Sequence, residues 1–322
     1  MPLLDVENLT VTLATSSGSA QAVRNLSFSL DEGEIIGIAG ESGSGKTMTA
    51  LSLMRLLPHK GFATGSIKFS GKDLLAQTNR AYRDIRGNQI AMIFQDPMTS
   101  LHPMIKIETQ LTEHIRHHKK ISQESAHLKA LELLDTVKIP DPASALEAMP
   151  KQFSGGMRQR IAIAIALACD PKLLIADEPT TALDVTVQAG ILRLLDQLRR
   201  EKNLAVMVIT HDLGVLSSLT DRIMIMYAGS EVESGLTSDL LKNPRHPYTK
   251  GLISALPTSS FSGKKLLTIE GMPPELGQIP SGCAFHPRCA YAKTSCESQI
   301  PTSISISTKH RIFCPVNPLV SS

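Results

Sequence analysis

Three short stretches carry the residue types that work on a phosphate would require. Gly40-Glu41-Ser42-Gly43-Ser44-Gly45-Lys46-Thr47 fits the pattern G-x-x-x-x-G-K-[ST], follows an apolar run at 35–39 and opens a helical pattern expected to reach about residue 57. Glycines so placed let backbone N–H groups turn inward around phosphate oxygens, and the helix N-terminus adds positive potential. Lys46 can then reach the β- and γ-phosphates, and Thr47 offers its hydroxyl to Mg2+. A Gly/Ser linker shares the composition but lacks the strand–loop–helix setting. The second stretch, Leu173-Leu174-Ile175-Ala176-Asp177-Glu178, ends an apolar run with two carboxylates. Asp177 suits Mg2+, and Glu178 suits polarising the attacking water, because adjacent residues at a strand end can address metal and nucleophile separately. The third is His211, which with Thr210 closes the run 204–209. A lone strand-end histidine is more often a packing or capping residue. In company with the other two stretches, a γ-phosphate contact becomes the better reading.

Such groups need a rigid frame. The runs at 35–39, 90–94, 173–176, 204–209 and 223–227 are short, aliphatic and separated by helical patterns, which predicts buried parallel strands in an α/β core. Carboxylates just past the C-terminal end of such a strand stand where α/β folds place ligand chemistry. Residues 3–13 and 22–30 alternate instead, with Ser16-Ser17-Gly18-Ser19 as a turn, and predict an antiparallel side sheet. Between Pro97 and Pro150 the pattern turns helical, at about 105–119 and 123–137, and reads as a helical lobe.

Bulk properties set outer bounds. A chain of 322 residues, 42% hydrophobic and 20% charged, has apolar material for one large core and a smaller appendage, and reads as globular and soluble. Lys+Arg 33 against Asp+Glu 30 leaves a net charge of only +3, so overall charge implies neither a nucleic-acid nor an acidic-membrane partner. The apolar run at 161–169 falls far short of the roughly 20 residues a membrane span needs. The opening Met1-Pro2-Leu3-Leu4-Asp5-Val6-Glu7 lacks a positive segment followed by a long apolar one, which leads to an expectation of a cytoplasmic protein without disulfides.

Phe153-Ser154-Gly155-Gly156-Met157-Arg158-Gln159 precedes a further helical pattern, with Ser154 as its N-cap and two glycines leaving the first amides open to an anion. Alone it could be simply a helix start. In order with the phosphate loop, Gln95 in Phe94-Gln95-Asp96-Pro97, the Asp177-Glu178 pair, Ala182-Leu183-Asp184 and His211, it resembles the ATP-binding cassette (ABC) family over nearly the whole chain. The resemblance implies ATP and Mg2+ as ligands, with Thr47, Gln95 and Asp177 on the metal, and Glu178, His211 and Gln95 as catalytic residues. It also implies two cassettes facing head to tail, the Ser154-Gly155-Gly156 helix of one touching the γ-phosphate on the other's loop and Asp184 beside the nucleotide. Gln95 then stands at the junction with the helical lobe, where it can sense nucleotide while moving that lobe against a membrane partner. Met157 stands where the family more often has Gln, which resembles one of the two ATPase subunits of peptide importers. Val11-Thr12-Leu13 stands where the family tends to carry an aromatic residue that stacks on adenine.

Past residue 256 the composition changes. Prolines at 257, 273, 274, 280, 287, 301, 315 and 318 break any long helix, so this tail needs another stabiliser. Asn243-Pro244-Arg245-His246-Pro247-Tyr248-Thr249-Lys250 and the tail around Pro287-Arg288-Cys289 resemble the C-terminal extension of oligopeptide and dipeptide transporter ATPases, shared in part by nickel importers. This divides the chain into a nucleotide-binding domain at 1–255, with a helical subdomain at about 98–170, and an extension at 256–322. Cys283, Cys289, Cys296 and Cys314 follow a C-x5-C-x6-C-x17-C spacing, unlike the paired CxxC of a zinc ribbon. The resemblance points to a [4Fe–4S] cluster; reduced packing thiols, zinc held with His286 or His310, and a disulfide stay open. His117-His118-Lys119-Lys120 reads as a solvated helix end.

The partners implied by resemblance are a second ATPase subunit, two transmembrane permease subunits and an extracytoplasmic peptide-binding protein, with the chain on the cytoplasmic face of the inner membrane. A nickel or metal-chelate importer is the alternative cargo reading. A soluble ABC ATPase acting on DNA or ribosomes fits less well, since coiled-coil arms and basic extensions are not seen here.

Overall fold

The computed structural model describes residues 1–16, 18–96, 100–180, 183–256 and 268–316. Its strands in chain order are β1 Leu4–Thr15, β2 Gly18–Leu30, β3 Ile35–Ala39, β4 Phe62–Phe69, β5 Lys72–Asp73, β6 Ile90–Ile93, β7 Leu173–Asp177, β8 Ala205–Ile209, β9 Arg222–Tyr227, β10 Ser230–Leu236, β11 Ile304–Ser307 and β12 His310–Ile312. The chain forms two compact units, one of residues 1–30, 35–75 and 209–322, the other of 31–34 and 76–208.

In the first unit, β1 and β2 pair antiparallel from Leu4↔Leu30 to Thr15↔Gly18, as their alternation predicts. β4 joins the other edge of β1 and β5 follows, giving the order β2-β1-β4-β5. β4 escapes sequence reading because most of its residues are only half-buried or exposed and Gly65 interrupts it. The second layer of this unit runs β11-β12-β10-β9-β3. Here β3 is buried along its whole length and lies parallel to β9, in register Ile36↔Arg222 to Ala39↔Ile225.

The helix after the phosphate loop ends at Leu53, short of residue 57. Arg55 takes φ 47, and the amides of Leu56 and Arg55 return to Leu51 and Ser52 oxygens at 2.8 and 3.1 Å, a Schellman-type stop that satisfies the last carbonyls.

The tail finds part of its stabiliser in the sheet. β12 adds antiparallel to β10, so backbone pairing replaces the missing helix. The fully buried Glu233 carboxylate on β10 accepts from His310 Nε2 at 2.7 Å and from the amides of Arg245 and His246 at 2.8 and 2.9 Å. Arg311 forms a two-pronged ion pair with Glu231, at 2.8 and 2.7 Å.

His246 caps the helix Pro247–Ser254 by accepting the Tyr248 amide on Nδ1. Burial pushes its pKa down to about 4, against the pull of Glu233. The unfolded chain therefore takes up a proton near pH 6.5 that the folded chain refuses until about pH 4, so stability falls as pH drops through that window. The loss amounts to about 3 kcal/mol. His246→Asn retains a capping acceptor without the titration, and thermal unfolding of this variant between pH 6.5 and 4.5 should show a shallower decline.

The second unit contains β8-β7-β6, with β6 parallel to β7 from Ile90↔Leu173 to Ile93↔Ala176. Its helical part holds the helices Ile107–Lys119, Gln123–Thr136, Pro142–Glu147 and Gly155–Leu167. Ile107, Leu111 and Ile115 on the first and Ala126, Ala130 and Leu134 on the second are buried at helical spacing, which is the stripe that packs the two together. His117, Lys119 and Lys120 are exposed at the end of the first of these helices. Among the described residues no helix is long and apolar enough to cross a membrane.

Candidate nucleotide site

The phosphate loop leaves β3 at Ala39 and enters the helix Lys46–Leu53 through Gly45. Gly45 takes φ 99, and a Cβ there would stand 2.5 Å from the Ala22 carbonyl oxygen, so both conformation and space demand glycine. Ser42 and Gly43 are exposed at the loop tip. Lys46 is buried, and its ammonium donates to the carbonyls of Gly40 and Glu41 at 2.7 and 2.9 Å and to Ser44 Oγ at 3.3 Å. A buried ammonium is tolerated because the loop's own carbonyls solvate it. Thr47 is half-buried in the first helical turn. His211 belongs to the same unit and is exposed just beyond β8, where Asp212 caps the helix Leu213–Leu219.

In the second unit, Asp177 ends β7 and is 2% exposed. Glu178 follows with φ 48, a left-handed conformation rare outside glycine and concentrated at functional sites. Its carboxylate accepts from Gln95 Nε2 at 3.2 Å, which brings together two residues 83 apart in sequence. Gln95 is exposed beyond β6. Ser154 is the N-cap of Gly155–Leu167 and accepts the Met157 amide at 3.3 Å; it and Gly155 are exposed while the body of the helix is buried. Gly156 meets Val187 so closely that a Cβ would lie 2.5 Å from Cγ1. Asp184 caps the helix Val185–Lys202, accepting from the Val187 amide at 2.9 Å. Ala182, read as part of the motif ending in Asp184, lies outside the described residues.

All five cysteines are free thiols. Cys283, Cys296 and Cys314 are buried, Cys289 is half-buried, and the Cys283 amide donates to the Cys296 carbonyl at 2.8 Å. Burial pushes the Cys283 thiol up to about 11 and raises Cys289 as well. Among the described residues no group of three or more His, Cys, Asp or Glu stands ready to hold a metal. His310, one of the imidazoles a zinc site could use, gives its Nε2 to Glu233.

Sequence reading missed the surroundings of Glu41. Its amide donates to the Tyr248 hydroxyl at 2.9 Å, and its carboxylate receives Arg288, partners 207 and 247 residues away. No local pattern announces such contacts, although both partners sit inside stretches the tail resemblance already marks.

A buried strand feeding a glycine loop and a lysine-bearing helix, together with a second buried strand closed by Asp-Glu, defines a P-loop nucleotide-binding protein. Family models narrow this: the ABC transporter model matches residues 23–181, and the model of the oligopeptide/dipeptide transporter C-terminal region matches 232–296. The oligopeptide transport ATP-binding protein of Salmonella typhimurium is 47% identical over 319 residues, 99% of this chain and 95% of that protein. The dipeptide transport ATP-binding protein of Bacillus subtilis is 46% identical over 314 residues, 97% of this chain and 94% of that one. A dimeric, post-hydrolysis ATP-binding cassette bound to ADP and Pi superposes with a TM-score of 0.65 at 28% identity, over 73% of this chain and 98% of that chain. The chain belongs to the ABC transporter family and carries the C-terminal region of its oligopeptide/dipeptide transporters.

Proposed function

We propose that this chain is the ATP-hydrolysing subunit of an importer that drives di- and oligopeptides across the cytoplasmic membrane. The observation that carries the ATPase half is the phosphate loop, with Lys46 held on the loop carbonyls and Ser42 and Gly43 exposed at the loop tip. Near-full-length likeness to oligopeptide and dipeptide transport ATP-binding proteins supports the cargo half.

In this reading the amides of residues 40–47 cradle the phosphates, and Lys46 exchanges its carbonyl partners for phosphate oxygens. Thr47, Gln95 and Asp177 would hold Mg2+, since each offers the hard oxygen donor the ion takes, and Asp177 is a buried carboxylate that a cation would neutralise. The ion offsets charge on the phosphates when bound. Glu178 takes the proton of the attacking water, held in place by Gln95, and His211 contacts the γ-phosphate. The Ser154-Gly155-Gly156 helix start, exposed at Ser154 and Gly155, serves the nucleotide of a second cassette, where its N-terminal field meets the γ-phosphate, and Asp184 lies beside it. The nucleotide-binding domain spans 1–255 with its helical subdomain at about 98–170, and the extension spans 256–322. A similar second ATPase subunit, two permease subunits and an extracytoplasmic peptide-binding protein complete the assembly on the inner membrane.

Deleting the gene should abolish growth on peptides that supply a required amino acid while leaving nickel-dependent growth intact. The opposite pattern would transfer the cargo to metal chelates.

For the tail we infer a [4Fe–4S] cluster on Cys283, Cys289, Cys296 and Cys314. Four soft donors, three of them buried, fit its chemistry. Because no three of them stand in a ligating arrangement, loading would draw them closer and remove their thiol protons. Anaerobically purified protein should be brown, with broad absorption near ~400 nm; a colourless, iron-free product would leave packing thiols as the account.

A further inference from the structure

Glu41 of the phosphate loop is tethered through its amide, its carbonyl and its carboxylate, and one tether comes from the far end of the chain. Its amide donates to the Tyr248 hydroxyl at 2.9 Å, and its carbonyl accepts from Lys46 Nζ at 2.9 Å. Its carboxylate receives both terminal nitrogens of Arg288, at 2.7 and 3.1 Å. Arg288 is itself fixed: Nε donates to the Glu270 carbonyl at 2.9 Å, Nη1 reaches the Tyr227 hydroxyl at 3.3 Å, and the guanidinium lies over the Tyr227 and Phe285 rings at 5.8 and 6.0 Å. Tyr227, Tyr248 and Phe285 pack edge-on or tilted against one another with centroids 4.7 to 5.3 Å apart. The Arg288 side chain is only 6% exposed and that of Glu41 26%.

A loop built to receive a polyanion has little use for a carboxylate, since a negative charge one residue from Gly40 opposes the incoming phosphates. A two-pronged guanidinium cancels that charge and fixes the direction of the residue whose carbonyl accepts from Lys46. We infer that Arg288, carried by the C-terminal extension, is a positioning residue for the phosphate loop: it neutralises and orients Glu41, so that ATP affinity depends on the docked extension. The inference rests on the nucleotide reading of the loop and adds a role for the tail within it. Removing one member of a largely buried pair is more harmful than removing both, because the survivor is left uncompensated.

The test titrates purified full-length protein with a fluorescent ATP analogue and Mg2+, with thermal midpoints measured alongside. Arg288→Ala should weaken binding roughly tenfold, and Arg288→Lys, a point charge without the fork, should fall between it and the unsubstituted protein. Arg288→Ala combined with Glu41→Gln should recover most of the lost affinity, although the thermal midpoint stays low, because the unpaired charge is gone. A tail that merely anchors itself would lower the midpoint in both variants and leave affinity unmoved. Affinity in Arg288→Ala equal to the unsubstituted protein, or no recovery in the double variant, would overturn the inference. Failure of the unsubstituted protein to bind the analogue would instead bring down the nucleotide reading beneath it.

Discussion

Glu178→Gln should retain ATP and stop consuming it, with phosphate release falling roughly 10²- to 10⁴-fold, the range a positioned general base contributes. The substitution keeps the shape and the contact with Gln95, now amide to amide in place of amide to carboxylate at 3.2 Å, while removing the carboxylate proposed as the proton acceptor. ATP affinity should change by no more than a few-fold. Turnover near the unsubstituted rate in the same phosphate-release assay would remove Glu178 from the base role and leave Gln95 or His211 to be tested in its place.

Lys46→Ala should act on the other side of the cycle, weakening ATP binding roughly 10- to 100-fold, the worth of one charged hydrogen bond to phosphate. The ammonium donates to the Gly40 and Glu41 carbonyls and to Ser44 Oγ, and exchanging them for phosphate oxygens would gain charge complementarity. The alanine variant loses this exchange and also releases the carbonyl of Glu41. Equilibrium titration with ATP and Mg2+ reads the effect directly, and unchanged affinity would remove Lys46 from the phosphate cradle.

Much of this site is legible in the sequence for one physical reason: its residues are close along the chain. Gly40 to Thr47 form one turn and one helix start, Asp177 and Glu178 are neighbours, and Ser154 caps the helix it precedes. The buried strands β3, β7 and β8 announce themselves as unbroken aliphatic runs, because both faces are covered. β4 and the tail strands β11 and β12 do not, since each is partly exposed and owes its existence to pairing with a distant strand. The same holds for Arg288 and Glu41, whose meeting depends on how the tail folds back across 247 residues. Chemistry written in contiguous residues can be read early; its supports, assembled by the fold, cannot.

In the proposed cycle two cassettes close over ATP, with the exposed Ser154 helix start as the face that one offers the other. Sedimentation velocity of the Glu178→Gln chain tests this most directly. Mixed with the second ATPase subunit in ATP and Mg2+ the chain should sediment as a two-cassette complex and in ADP as separate monomers, and adding Ser154→Arg should keep it monomeric in ATP. A mass indifferent to nucleotide, or a dimer that survives Ser154→Arg, would contradict the account.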